Sequence, residues 1–177
     1  MKKLLLILLI FLVGCGNDIN KFKNEYENQE GIEVNISKDN KVKYINAKET
    51  VDMLKNKTGI LFFGIASDNT TRSVVETLLQ VGKDNDLTIY YFDPNTVPDK
   101  DNDEDFAKIL GILDSYLQSN EEDEKVLSVP DVYFIKDGKV MGNKFGSIIS
   151  YDGEALDDDE KEQLYKDYNN LAKLIRS

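Results

Sequence analysis

Ile60, Leu61, Phe62, Phe63 and Ile65 form an apolar run broken only by Gly64, the pattern of a central strand covered on both faces. Ser67, Asp68, Asn69 and Thr70 follow, residue types whose side-chain oxygens accept the orphan N–H groups at a helix start. Val74, Val75, Leu78 and Leu79 then recur at helical spacing. Residues 59–75 thus predict a buried strand, a short polar turn and an amphipathic helix, and the other elements are placed around this unit.

Upstream, Ile32-Glu33-Val34-Asn35-Ile36 alternates apolar and polar, as an edge strand does, and Lys41-Val42-Lys43-Tyr44-Ile45 does so more clearly. Asn46, with Glu49 three residues on, has the spacing of a capping box. The helix it opens turns Ala47, Val51 and Leu54 inward and stops at Lys57-Thr58-Gly59. Downstream, residues 87–92 (LTIYYF) predict a second apolar strand, and residues 93–104 a long acidic loop holding two of the three prolines. Phe106, Ile109, Leu110, Leu113 and Leu117 mark a helix of about fourteen residues capped by residues 101–103. Residues 120–124 read as a solvated loop. Val132-Tyr133-Phe134-Ile135, an Asp137-Gly138 turn and residues 140–145 predict a β-hairpin. A last helix opens on Asp157-Asp158-Asp159 and carries Leu164, Tyr168, Leu171 and Ile175 as one stripe. The order is β-α-β-α-β-α-β-β-α, one α/β domain over residues 32–177.

The first residues belong to a different category. Lys2 and Lys3 precede ten uninterrupted apolar residues, 4–13, and then Gly14 and Cys15. That is a secretory signal, too short to span a bilayer about 30 Å thick. Leu12-Val13-Gly14-Cys15 resembles a bacterial lipobox. The resemblance implies that residues 1–14 are a lipoprotein signal peptide, that cleavage falls before Cys15, and that its sulfur carries the lipid anchor, with palmitate-type chains. It places the protein at the cell membrane, on the extracytoplasmic face. Residues 15–31, polar and rich in asparagine, read as a flexible tether, in which Ile19, Phe22 and Tyr26 are spaced for a short amphipathic turn against the domain or the membrane.

Composition narrows the chemistry further. The net charge is −11 and becomes more negative when Lys2 and Lys3 leave with the leader, so binding to the phosphate backbone of nucleic acid is not expected. There is no histidine, and Cys15 is the only cysteine. Ser-His-Asp and Cys-His catalysis, Cys/His zinc sites and, once acylation takes up the Cys15 thiol, thiol–disulfide exchange all lack their atoms. No cofactor is called for. The run Asp99-Lys100-Asp101-Asn102-Asp103-Glu104-Asp105 has acids at the first positions of a calcium loop, but its sixth and twelfth positions are Glu104 and Leu110 instead of Gly and Glu. The motif fails, and no metal site is assigned.

The order of elements resembles a thioredoxin fold at three places: Phe62-Phe63-Gly64 ending the second strand, Ser128-Val129-Pro130-Asp131-Val132-Tyr133-Phe134 before the hairpin, and the Asp137-Gly138-Lys139 turn. The similarity covers roughly residues 42–177 and looks closest to extracytoplasmic thioredoxin-like proteins of Gram-positive bacteria. It implies a three-layer sandwich, a mixed central sheet flanked by helices, and a cis bond between Val129 and Pro130. The C-x-x-C redox motif of that family falls on Asp68-Asn69-Thr70-Thr71, so the cysteine positions hold Asp68 and Thr71. The redox residues therefore do not carry over, and no catalytic residue is assigned.

What the resemblance leaves is a groove between residues 66–71 and Val129-Pro130, where relatives pair an extended peptide with the backbone before the proline. Asp68, Asn69, Thr70, Thr71, Val129 and Pro130 are its candidate residues. The expected function is a membrane-tethered, redox-inactive binding or accessory protein that meets a polypeptide partner. The alternative is an acidic, Ca²⁺-binding surface lipoprotein.

Overall fold

The computed structural model describes residues 15–147 and 154–176. Its elements are α1 (Cys15–Glu27), β1 (Val42–Tyr44), α2 (Ala47–Asn56), β2 (Gly59–Phe63), α3 (Asn69–Asp84), β3 (Ile89–Phe92), a 3-10 turn (Pro94–Thr96), α4 (Glu104–Leu113), β4 (Gln118–Ser119), β5 (Lys125–Val126), β6 (Asp131–Lys136), β7 (Lys139–Phe145) and α5 (Asp158–Arg176). The five-stranded sheet runs β1-β3-β2-β6-β7. Strands β1, β3 and β2 are parallel, and β6 and β7 are antiparallel to their neighbours. This is the mixed sheet of a thioredoxin-like sandwich.

Strand β2 shows why its sequence is apolar at every position. Ile60 and Phe62 join the core made with α1, α3 and α5, while Leu61 and Phe63 join the core made with α2 and α4. With both faces covered, alternation has no polar side to show. The helix starts are fixed locally. Asn46 and Glu49 form the reciprocal capping box, Asp103 accepts from the Phe106 amide at 2.7 Å, and Asp157 and Glu160 cap α5 in the same reciprocal way. In the hairpin turn Asp137 and Gly138 both take positive φ, 48° and 74°, as a tight two-residue turn requires. A Cβ on Gly138 would lie 2.1 Å from the Lys55 carbonyl.

The structure departs from the sequence expectation in three places. Residues 15–27 of the expected tether are a full helix, α1; Ile19, Phe22 and Tyr26 form its buried stripe against the domain, as their spacing suggests. Phe22 and Tyr26 pack edge-on and tilted among Tyr44 and Tyr91, so aromatic burial outweighs the polar composition of this segment. Residues 32–36 form no strand. They run beside α3 with Val34 and Ile36 buried, and their amides bond to side chains, Asn35 N–H to Glu76 and Ile36 N–H to Glu27. Helix α4 stops at Leu113, before Leu117. Residues 120–124 are the largely exposed loop that the sequence predicts, and they form the turn of a small β4–β5 ladder that it does not. Residues 1–14, the signal-peptide segment, lie outside the described residues, and of Cys15 only the backbone, as the first residue of α1, is described. Among the described residues no helix is long and apolar enough to cross a membrane.

Candidate functional site

Phe63, the last residue of β2, pairs with Asp131, the first residue of β6. The β2–α3 junction and the segment before β6 therefore share one end of the sheet, which brings the two halves of the expected site together. The individual side chains divide their roles unevenly.

Asp68 is the N-cap of α3, its carboxylate accepting the Thr71 amide at 2.6 Å. Asn69 accepts from the amide of Ile32 at 3.3 Å. This contact is possible because Gly31, at φ +111°, presents no Cβ where Asn69 Oδ1 sits. Thr70 is half-buried, and its carbonyl accepts from the Ser73 hydroxyl at 2.8 Å. Thr71 is wholly buried, and its Oγ1 has no hydrogen-bond partner among the described residues. Asp68 is thus spent on capping, as its residue type suits, and no base faces the Thr71 hydroxyl.

Arg72, next in the chain, was not among the sequence candidates. It is 2% exposed and forms no ion pair with a carboxylate among the described residues. Nε donates to Ile32 O at 2.9 Å, Nη1 to Tyr26 O at 2.6 Å and Ala66 O at 3.0 Å, and Nη2 to Gln29 O at 3.3 Å and to Ile32 O. All five guanidinium donors are satisfied by backbone carbonyls. Arg72 so fastens the end of α1 and the segment after it to the β2–α3 junction. An arginine at the start of an amphipathic helix carries no local sign of this; apart from Ala66 its acceptors lie 40 to 46 residues upstream.

On the other side, the Val129–Pro130 bond is cis, as the resemblance implied. Pro130 is buried and its carbonyl accepts from the Gly146 amide at 2.8 Å. Val129 is half-buried, its side chain on the α2/α4 core. Its backbone N–H and C=O make no hydrogen bond among the described residues.

Directly after the proline lies Asp131, 1% exposed. Its carboxylate accepts from Tyr133 Oη at 2.6 Å and from Asn143 Nδ2 at 3.1 Å. Burial pushes its pKa up to about 6, and the hydrogen bonds from Tyr133 and Asn143 offset only part of that rise. Burial likewise holds the Tyr133 hydroxyl well above its ordinary value. The sequence places both in the segment that resembles the cis-proline stretch and gives neither a role in the site. Among the described residues no group of three or more Cys, Asp or Glu is placed to hold a metal ion.

No protein-family model matches this chain, and no curated protein does. Solved structures do. Thioredoxin O2 from Arabidopsis thaliana in the oxidised state matches over 60% of this chain and 84% of its own, at 16% identity and a TM-score of 0.41. Thioredoxin F from spinach chloroplast, in its short form, matches over 76% of this chain and 95% of its own, at 12% identity and a TM-score of 0.43. With strand order β1-β3-β2-β6-β7, an antiparallel terminal hairpin and helices on both faces, the chain has a thioredoxin-like α/β fold.

Proposed function

We propose that this protein is a lipid-anchored, redox-inactive thioredoxin-like accessory protein at the extracytoplasmic face of the cell membrane, where it holds an extended segment of a polypeptide partner. The observation that carries this reading is the backbone of Val129, which makes no hydrogen bond among the described residues, beside Pro130 and at the same end of the sheet as the β2–α3 junction. An extended peptide completes such a backbone by pairing with it, and this interaction needs no sulfur. The redox position supplies none, because Asp68 and Thr71 stand there and the chain's one cysteine is Cys15. The proposal therefore assigns binding, and no catalysis. The lipobox-like residues 12–15 support the anchor, and more than one acyl chain on Cys15 gives stable attachment where a single chain gives only marginal binding. Because α1 begins at Cys15 and is already docked by Ile19, the domain would ride close to the bilayer.

The test places a photo-crosslinking residue at Ser128 in the full chain in its host, with a second at Lys55 on the far side as control. A discrete adduct from Ser128, absent from Lys55 and lost when Val129 is replaced by proline, is expected; Val129→Pro removes the N–H that a peptide would use. Equal labelling from both positions, or none from Ser128, refutes the binding reading. Palmitate labelling that survives Cys15→Ser refutes the anchor separately.

A further inference from the structure

Behind the junction lies a second feature, on the β1 and β3 side. After β2 the chain enters α3 on one face of the sheet, and after β3 it goes on to α4 on the other. Connections that part in this way open a crevice at the carboxyl ends of parallel strands, the usual ligand position in open α/β sheets. Here it is a cavity of about 290 Å³, lined among others by Ile65 and Ser67 after β2, Asp93 after β3, Tyr44 closing β1, and Lys21 and Glu25 from α1. Helix α1 is thus a wall of the cavity as well as part of the core.

The lining holds a cation already. Lys21 Nζ stands 3.9 Å from the centroid of the Tyr44 ring and 3.7 Å from the Glu25 carboxylate. The Tyr44 hydroxyl donates to Glu25, and the Tyr44 amide donates to Asp18 at 3.2 Å. Glu25 and Asp93 are the acids that line the cavity, against one lysine, and Asp18 sits beside it on the Tyr44 amide. Arg72, behind the Ala66 wall, has no donor left for an anion. An aromatic face flanked by carboxylates stabilises an ammonium group. The lysine that fills this position is poorly held, its side chain 56% exposed on a flexible stem.

We propose that this crevice is a binding site for a small organic ammonium compound, an amine or quaternary amine, whose cationic head takes the place of Lys21 on the Tyr44 ring while its body lies against Ile65. Lys21 is then a built-in competitor: it keeps the ring covered in the empty protein and swings out when the ligand arrives. The site is independent of the peptide edge at Val129, and neither proposal needs the other.

The probe is choline chloride, titrated into the ¹⁵N-labelled full chain in a non-ionic detergent and followed by amide chemical shifts, with sodium chloride at equal ionic strength as the control. Saturable shifts confined to Tyr44, Ser67, Asp93 and their neighbours are expected. Lys21→Ala should tighten binding by about threefold or more and Glu25→Gln should loosen it by a similar factor, the size of one cation–π or charge contact. Thermal unfolding of each variant confirms that it is folded. Three results overturn the proposal: no saturable shift in wild type or Lys21→Ala, shifts spread over the acidic surface and reproduced by sodium, or an affinity that Lys21→Ala leaves unchanged or weakens.

Discussion

Asp131→Asn is the most quantitative perturbation the structure offers. Burial raises the Asp131 pKa from 3.8 to about 6, so the folded protein binds its proton more tightly than the unfolded chain does. The sign follows. Below pH 3.8 both states are protonated and the full stability is present; between there and pH 6 the unfolded chain ionises first, and stability falls as pH rises. A shift of about two units, at 1.36 kcal/mol per unit, makes the ionised carboxylate cost about 3 kcal/mol at pH 7. Asparagine has the same shape, accepts from Tyr133, and meets Asn143 once that amide turns over, but it carries no charge to desolvate. Urea unfolding of wild type and variant should therefore converge near pH 3, and Asp131→Asn should be the more stable by about 3 kcal/mol at pH 7. Glu27, Asp52, Asp84, Asp86 and Glu162 have lowered pKa values, each held down chiefly by hydrogen bonds. Their contributions are lost as pH falls, equally in both proteins, so the difference between the two curves isolates Asp131. Parallel curves from pH 4 to 7 would refute the reasoning.

Further expectations follow from the same contacts. Phe22→Ala should destabilise the protein by about 3–5 kcal/mol in a denaturant titration; a tether over residues 15–27 would give no change. Arg72→Ala strips the partner from the carbonyls of Tyr26, Gln29, Ile32 and Ala66 and should cost about 3–5 kcal/mol, with amide exchange rising first in residues 26–36. Gly138→Ala forces a side chain into the Lys55 backbone at positive φ and should lower stability by more than about 1 kcal/mol. Calorimetry with Ca²⁺ should show no micromolar site, because Asp99 and Asp103 already bond to the amides of Asn102 and Phe106.

The parts legible in the sequence are those whose cause is local. Strand β2 declares itself because burial on both faces leaves no polar position, and the Asn46/Glu49 cap is a pair three residues apart. The Asp137-Gly138 turn is written in two residue types that tolerate positive φ. Helix α1 was harder to see, since a mostly polar thirteen-residue helix is held by three side chains whose partners, Tyr44 and Tyr91, arrive only with the sheet. Arg72 and Asp131 were opaque for the same reason. An arginine that collects carbonyls from Tyr26 to Ile32, and an acid sheltered by Tyr133 and Asn143 across a hairpin, become special only when the chain closes around them.

The central proposal is that Asp68-Asn69-Thr70-Thr71 stands, without sulfur, at the position that the C-x-x-C motif takes in the thioredoxin resemblance. The direct measurement installs Asp68→Cys and Thr71→Cys together in the Cys15→Ser background and follows disulfide formation and insulin reduction. The account predicts a disulfide that forms reversibly across the first turn of α3 and an activity that the parent protein lacks. A folded double variant whose two thiols never join would contradict it.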